Sequence, residues 1–221
     1  MKRRDFIRGG IKGTTAYTLL ATTLLGSHQV MARGRFGSTS STPTTEEEQE
    51  HLAFMREEEK LARDVYLKMH DTWGMAVFYN IAQSEQVHTD AVKAKIEKYG
   101  LVDPVIDDTV GVFQNHDLAV LYDALIQQGS VSAIDALWVG GAIEEIDIID
   151  LQHAIDDAEH DDIARVYQNL QMGSHNHLRA FVAQLEQNGI EYKAQYLTPE
   201  AVDAILNTSS GISGGGRRGR R

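Results

Sequence analysis

Glu85 and His88 stand three residues apart within the apolar stripe of a helix. Phe78, Ile81, Glu85, His88, Val92 and Tyr99 recur at helical spacing and so share one face. Three other segments repeat the pattern. Leu52, Met55, Glu59, Ala62, Tyr66, Met69 and Trp73 place Glu59 in their seam. Leu137, Gly141, Glu144, Ile148, Leu151 and Ile155 place Glu144 there, with Asp147 one turn further on. Ile163, Val166, Leu170, Ser174, His177, Phe181 and Leu185 place His177 there. An ionisable group in such a seam is expensive to bury unless it is paired or ligated. Four stripes, each broken near its middle by carboxylate or imidazole, predict four helices facing one buried metal site.

The chemistry open to that set is oxygen and nitrogen ligation. The chain has no cysteine, so thiolate ligands, iron–sulfur clusters and disulfides are excluded. A carboxylate-bridged pair of metals needs about four carboxylates and two imidazoles converging from four helices. Glu-x-x-His serves because residues three apart on a helix reach the same point. One such pair is weak evidence in a chain with nine histidines and 32 acids. Four aligned interruptions are far more specific.

The elements that must hold these residues are legible from caps and breakers. Thr44 or Thr45 ahead of Glu46, Glu47 and Glu48 opens a long helix that Gly74 ends after Trp73. A second helix spans about Ala76 to Tyr99 and stops at Gly100. Leu101 to Asn115, with Pro104 and Gly111, reads as a loop, and a short helix runs from about Asp117 to Gln128, closed by Gly129. Ser132 with Asp135 opens the third long helix, expected to reach about Glu159. Asp161 or Asp162 opens the fourth, which runs to Asn188-Gly189, and Thr198-Pro199-Glu200 starts a last short one. The expected class is therefore all-α. Short connections make helices one and two, and three and four, antiparallel hairpins. A crossover of about thirty residues, carrying the short extra helix, joins the two hairpins.

The motifs resemble a known group. Glu57-Glu58-Glu59-Lys60-Leu61-Ala62-Arg63-Asp64-Val65-Tyr66, Ser84-Glu85-Gln86-Val87-His88, Glu144-x-x-Asp147-Ile148-x-Asp150-Leu151 and Gly173-Ser174-His175-Asn176-His177-Leu178-Arg179-Ala180-Phe181 resemble a prokaryotic ferritin-like family catalogued as a domain of unknown function. The resemblance covers roughly residues 48–190, and a more distant one extends to rubrerythrins and ferritins. It implies a ferritin-like four-helix bundle, with Glu59, Glu85 and His88 in one half-site. Glu144 and His177 would form the other, and Asp147 matches an additional rubrerythrin-type acid. Its cofactor would be iron, as a di-iron pair in the first instance, with manganese or zinc as the other options.

Ferritin-like enzymes repeat Glu-x-x-His in the fourth helix, whereas this chain has Ser174-x-x-His177. Asp147 is the candidate to replace the absent carboxylate; otherwise the second site is weak, mononuclear or empty. Each residue also has a plainer reading. For Glu59, Glu85, His88, Glu144 and His177 it is a buried hydrogen-bonded network. Tyr66 reads as a redox-active phenol or one that backs a ligand, and more plainly as a core tyrosine with its hydroxyl satisfied. Glu57, Glu58, Lys60, Glu145 and Asp150 are expected on outer faces, solvated or salt-bridged, and His175 is expected to be exposed.

The net charge of −11 conceals an asymmetry. Residues 1–37 hold seven Lys/Arg against one acid, and the last five residues hold four Arg, leaving ten basic and 31 acidic residues between. Such a body argues against nucleic acid as a partner. Lys2-Arg3-Arg4-Asp5-Phe6-Ile7-Arg8 resembles a twin-arginine export signal. The Thr14–Gly26 run is too short and polar for a stable membrane span, and Val30-Met31-Ala32 offers a cleavage site after Ala32.

The expected organisation is a signal over 1–32, a flexible linker over 33–43, the helical domain over 44–208 and a disordered Gly/Arg tail over 209–221. Export to the periplasm or outside the cell follows. The expected function is an oxidoreductase acting on ferrous iron or peroxide. Its partners would be metal ions, peroxide or dioxygen, a separate electron donor and, as an option, a second copy in a homodimer. The alternative is a non-catalytic module that binds metal or protein and carries a degenerate second site.

Overall fold

A computed structural model of the chain describes residues 43–208, which form six helices and no strand. They are α1 (Glu46–Trp73), α2 (Ala76–Lys98), α3 (His116–Gly129), α4 (Ala133–Asp156), α5 (Asp161–Gln187) and α6 (Pro199–Asn207). The all-α expectation holds. The export signal, the linker short of Pro43 and the Gly/Arg tail lie outside the described residues.

Local chemistry sets the ends. Thr45 and Glu48 form a reciprocal capping box, Oγ1 accepting from Glu48 N–H at 3.1 Å and the Glu48 carboxylate accepting from Thr45 N–H at 3.0 Å. Gly74 takes the left-handed conformation at φ 67° that L side chains resist, and its N–H closes onto the His70 carbonyl. Asn115, Ser132 and Thr198 cap α3, α4 and α6.

Side-chain pairs give the directions of the long helices. Between α1 and α2, Arg56 reaches the Thr89 carbonyl, His88 meets Glu59 and Arg63 meets Gln86, so one number rises as the other falls. The same antiparallel order links α4 to α5 through Ile148–Gln171 and Asp147–Ser174. It links α1 to α4 through Tyr66–Glu144 and His51–Asp157. It links α2 to α5 through Ser84–His177 and Lys95–Asp162. The core falls into two apolar layers. One gathers Val65, Tyr66, Met69, Phe78, Leu137 and Phe181; the other gathers Leu52, Met55, Val92, Ile96, Leu151 and Tyr167. Along every long helix the ionisable seam residues fall between the two. Each fully buried aliphatic side chain contributes about 1.5–3 kcal/mol, and these two layers offset the cost of the polar layer they enclose.

Three expectations need correction. Helix α4 ends at Asp156, not near Glu159. The N–H groups of Glu159 and His160 turn away to donate to Glu48 Oε1 at 2.9 and 2.8 Å, a partner more than a hundred residues earlier. Glu57, Glu58, Lys60, Glu145 and Asp150 are buried, not solvated. The crossover covers α1, where Glu57 accepts from Gln114 and Asn115 N–H, Lys60 pairs with Asp64 and donates to the Thr109 carbonyl, and Arg63 pairs with Asp108. Glu145 accepts from the N–H groups of Gln195, Tyr196 and Leu197 and from the Tyr192 hydroxyl, which straps the segment after α5 across α4. His175 is half-buried rather than exposed, and burial together with nearby Arg179 holds its imidazole below the usual range.

Candidate metal centre

The six residues predicted from the sequence meet between the two apolar layers. Glu59 comes from α1, Glu85 and His88 from α2, Glu144 and Asp147 from α4, and His177 from α5. All are buried, the three glutamates to within 2% of full burial. Their ligand atoms form two triads, Glu59–Glu85–His88 and Glu85–Glu144–His177, and within each the atoms lie within 4.8 Å of one another. Glu85 belongs to both: its Oε2 lies 2.7 Å from His88 Nδ1 and its Oε1 lies 2.7 Å from His177 Nδ1. The imidazoles are stacked, with centroids 5.4 Å apart.

Asp147 joins neither triad. It lies beside them, its Oδ2 accepting from the Ser174 hydroxyl. Ser174 thus occupies the position expected for a carboxylate and instead orients a carboxylate from α4. Tyr66 donates to Glu144 Oε1, which leaves Oε2 facing His177 Nδ1 at 3.5 Å. Tyr66 is thus a buried tyrosine with its hydroxyl satisfied, and the group that satisfies it is a candidate ligand.

The electrostatics are those of crowded like charges. Burial pushes the Glu59 carboxyl up to about 7 despite His88, and Glu85 adds to the rise. Burial, then Glu59 and Glu144, push Asp147 well above the carboxylate range. Glu144 is also raised, by burial and by Glu85. Glu85 goes the other way: burial opposes its ionisation, but His177 and His88 hold it below the usual range. Burial works against the imidazolium forms too, yet Glu59 and Glu85 hold His88 at about 11, and Glu85 and Glu144 hold His177 at about 10.

The donor set fits metal. Glu59 Oε1 and Asp147 Oδ1 are buried without a hydrogen-bond partner, while Glu85 Oε1 and His177 Nδ1 face each other at 2.7 Å. Orphaned acceptors of this kind are rare in a finished polar network. Two divalent cations would displace the imidazolium protons, and four carboxylates with two imidazoles then neutral would balance their charge.

The sequence missed an adjoining pair. Glu58 hydrogen-bonds Asp150, and burial with Asp150, Asp147 and Glu59 nearby pushes its carboxyl well above the usual range. No local signal marks this burial: from Glu57 to Asp64 six of eight residues are charged, a run that reads as a solvated face, and the crossover that covers α1 lies far along the chain.

Comparison with known proteins agrees with this architecture. Residues 48–209 match the family described as "Uncharacterized protein domain (DUF2202)". The "Uncharacterized protein MJ0754" of Methanocaldococcus jannaschii is 48% identical over 173 residues, covering 78% of this chain and 94% of the relative. A solved structure, titled "Crystal structure of hypothetical protein MJ0754 from Methanococcus jannaschii", matches with a TM-score of 0.75 at 48% identity, over 78% of this chain and 99% of that one.

Proposed function

This chain belongs to the DUF2202 domain family, and on the geometry of its buried layer we propose that it is a ferritin-like dinuclear metalloprotein with a redox role. Two antiparallel hairpins, α1–α2 and α4–α5, joined by a long crossover carrying α3, support the ferritin-like four-helix reading. The observation that carries the metal reading is the shared Glu85, whose two oxygens face two different imidazoles. Glu59 and His88 would complete one half-site; Glu144 and His177 would complete the other. Asp147 would supply the fourth negative charge: the Ser174 hydroxyl holds one of its oxygens, and the other is buried without a hydrogen-bond partner.

Iron is the metal this donor set suits first, with manganese and zinc as the other candidates. A pair of redox-active ions bound here supplies two-electron chemistry toward dioxygen or peroxide, with ferrous iron or a separate donor as reductant. The chain's own residues do the rest. The two apolar layers exclude bulk water. Tyr66 fixes the rotamer of Glu144 and holds a proton on its own oxygen, since burial and Glu144 push its phenol well above the usual range. The basic Lys2–Arg8 motif adds export through the twin-arginine route, which carries proteins already folded around a cofactor.

The second reading is a non-catalytic metal-binding module, and Ser174 in place of a ligand favours it. Metal analysis and oxygen consumption separate the two. The redox reading expects two ions per chain and oxygen uptake on adding ferrous iron, with Asp147→Asn lowering both. One ion per chain, unaffected by Asp147→Asn and without uptake, selects the module.

A further inference from the structure

The two imidazoles are seated by each other's helix. On α2, Ser84 stands four residues before His88; on α5, Gly173 stands four residues before His177. Because α2 and α5 run antiparallel, Ser84 meets His177 and Gly173 meets His88. His177 Nε2 lies 2.9 Å from Ser84 Oγ. A Cβ added to Gly173 would lie 2.5 Å from both Cε1 and Nε2 of His88.

Neither small residue is explained by its own helix. Gly173 lies inside the 27-residue α5 and is not among the glycines of positive φ, so it needs no special backbone freedom. Glycine in such a place is disfavoured relative to alanine. What its missing side chain provides is room for the His88 ring. Ser84 is likewise a poorer helix former than alanine. Its oxygen is the acceptor that an Nε2–H proton needs when Nδ1 faces the carboxylates.

Resting on the two-metal reading, we propose that Ser84 and Gly173 are positioning residues, one for each half-site. Ser84 holds His177 in the tautomer and ring orientation that present Nδ1 to Glu85 and Glu144. Gly173 lets the His88 ring sit deep enough to present Nδ1 to Glu59 and Glu85. The motif in this chain is therefore small-x-x-x-His on both helices, and the pairing is reciprocal.

Calorimetric titration of the metal-free full chain with Co(II) tests this, with the visible absorption of the bound ion recorded in parallel. Loss of an orienting partner costs about 10- to 100-fold in metal affinity. Ser84→Ala should weaken one of the two binding steps by that factor and shift the absorption, and Ser84→Thr, which restores the hydroxyl, should recover both. Ser84→Ala should add nothing further to His177→Ala. Gly173→Ala should weaken the other step by displacing the His88 ring, and Gly173→Ala added to His88→Ala, which vacates that space, should melt no lower than His88→Ala alone because alanine suits the helix better. Two wild-type-like steps in both alanine variants would overturn the proposal while leaving the two-metal reading standing. A wild type that takes up no Co(II) would overturn both.

Discussion

At the residue scale, Glu85 is where the proposed two-metal layer can be tested against a polar network. Its two oxygens serve two triads, so Glu85→Gln should abolish both binding steps, whereas Glu59→Gln should weaken one; metal titration of the two variants checks this. Ser174 makes a second point. Its hydroxyl already holds Asp147, and it is fully enclosed. Ser174→Glu therefore forces a fifth carboxylate against Asp147 and should lower the melting temperature of the metal-free protein. Exchanging the two, Asp147→Ser with Ser174→Glu, should relieve that clash and recover two metals per chain.

The six candidate ligands were legible because each interrupts an apolar stripe. The sharing of Glu85 was not, because it depends on the register between α2, α4 and α5, which no single helix encodes.

At the element scale, helix starts and the first stops were legible because their signals are local: Thr45 with Glu48, Ser132 with Asp135, Gly74 after Trp73. The end of α4 was not, because Glu48 sets it from the far end of the chain. Glu48 is a useful probe of that long-range contact. Burial raises its carboxyl, but the N–H groups of Thr45 and His160 outweigh this and leave it below the usual range. A depressed carboxyl contributes stability above its unfolded value, about 4.3, and loses it as pH falls through the lower folded value. Glu48→Gln should cost about 1–3 kcal/mol at neutral pH. The gap between variant and wild type, measured by urea unfolding, should close in acid below about pH 4.

The buried state of Glu57, Lys60 and Glu145 escaped the sequence for the same reason as the end of α4. What covers them, the crossover and the segment from Tyr192 to Leu197, lies far away in the chain. Glu145→Gln removes the charge that gathers three N–H groups and a phenol. It should destabilise the protein by about 1–3 kcal/mol and leave metal stoichiometry unchanged.

At the scale of the whole molecule, an acidic helical body carries an expensive polar layer that metal would neutralise. Metal in thousandfold excess over its dissociation constant adds about 4 kcal/mol per site. For a domain of this size each filled site should raise the melting temperature by roughly 8–16 °C. Among the described residues no helix is long and apolar enough to cross a membrane. The proposed export rests on the basic N-terminus, and replacing Arg3 and Arg4 by lysine should leave the unprocessed protein in the cytoplasm. Normal processing of that variant would remove the twin-arginine route from the account.

The central proposal is that the two triads would hold two ions with Glu85 as their common ligand. Electron paramagnetic resonance of the protein loaded with Mn(II) reads this directly, because ions joined by a carboxylate are exchange-coupled. The account predicts a coupled spectrum at two Mn(II) per chain, lost in Glu85→Gln. A spectrum of isolated Mn(II) at every loading, unchanged by Glu85→Gln, would contradict it.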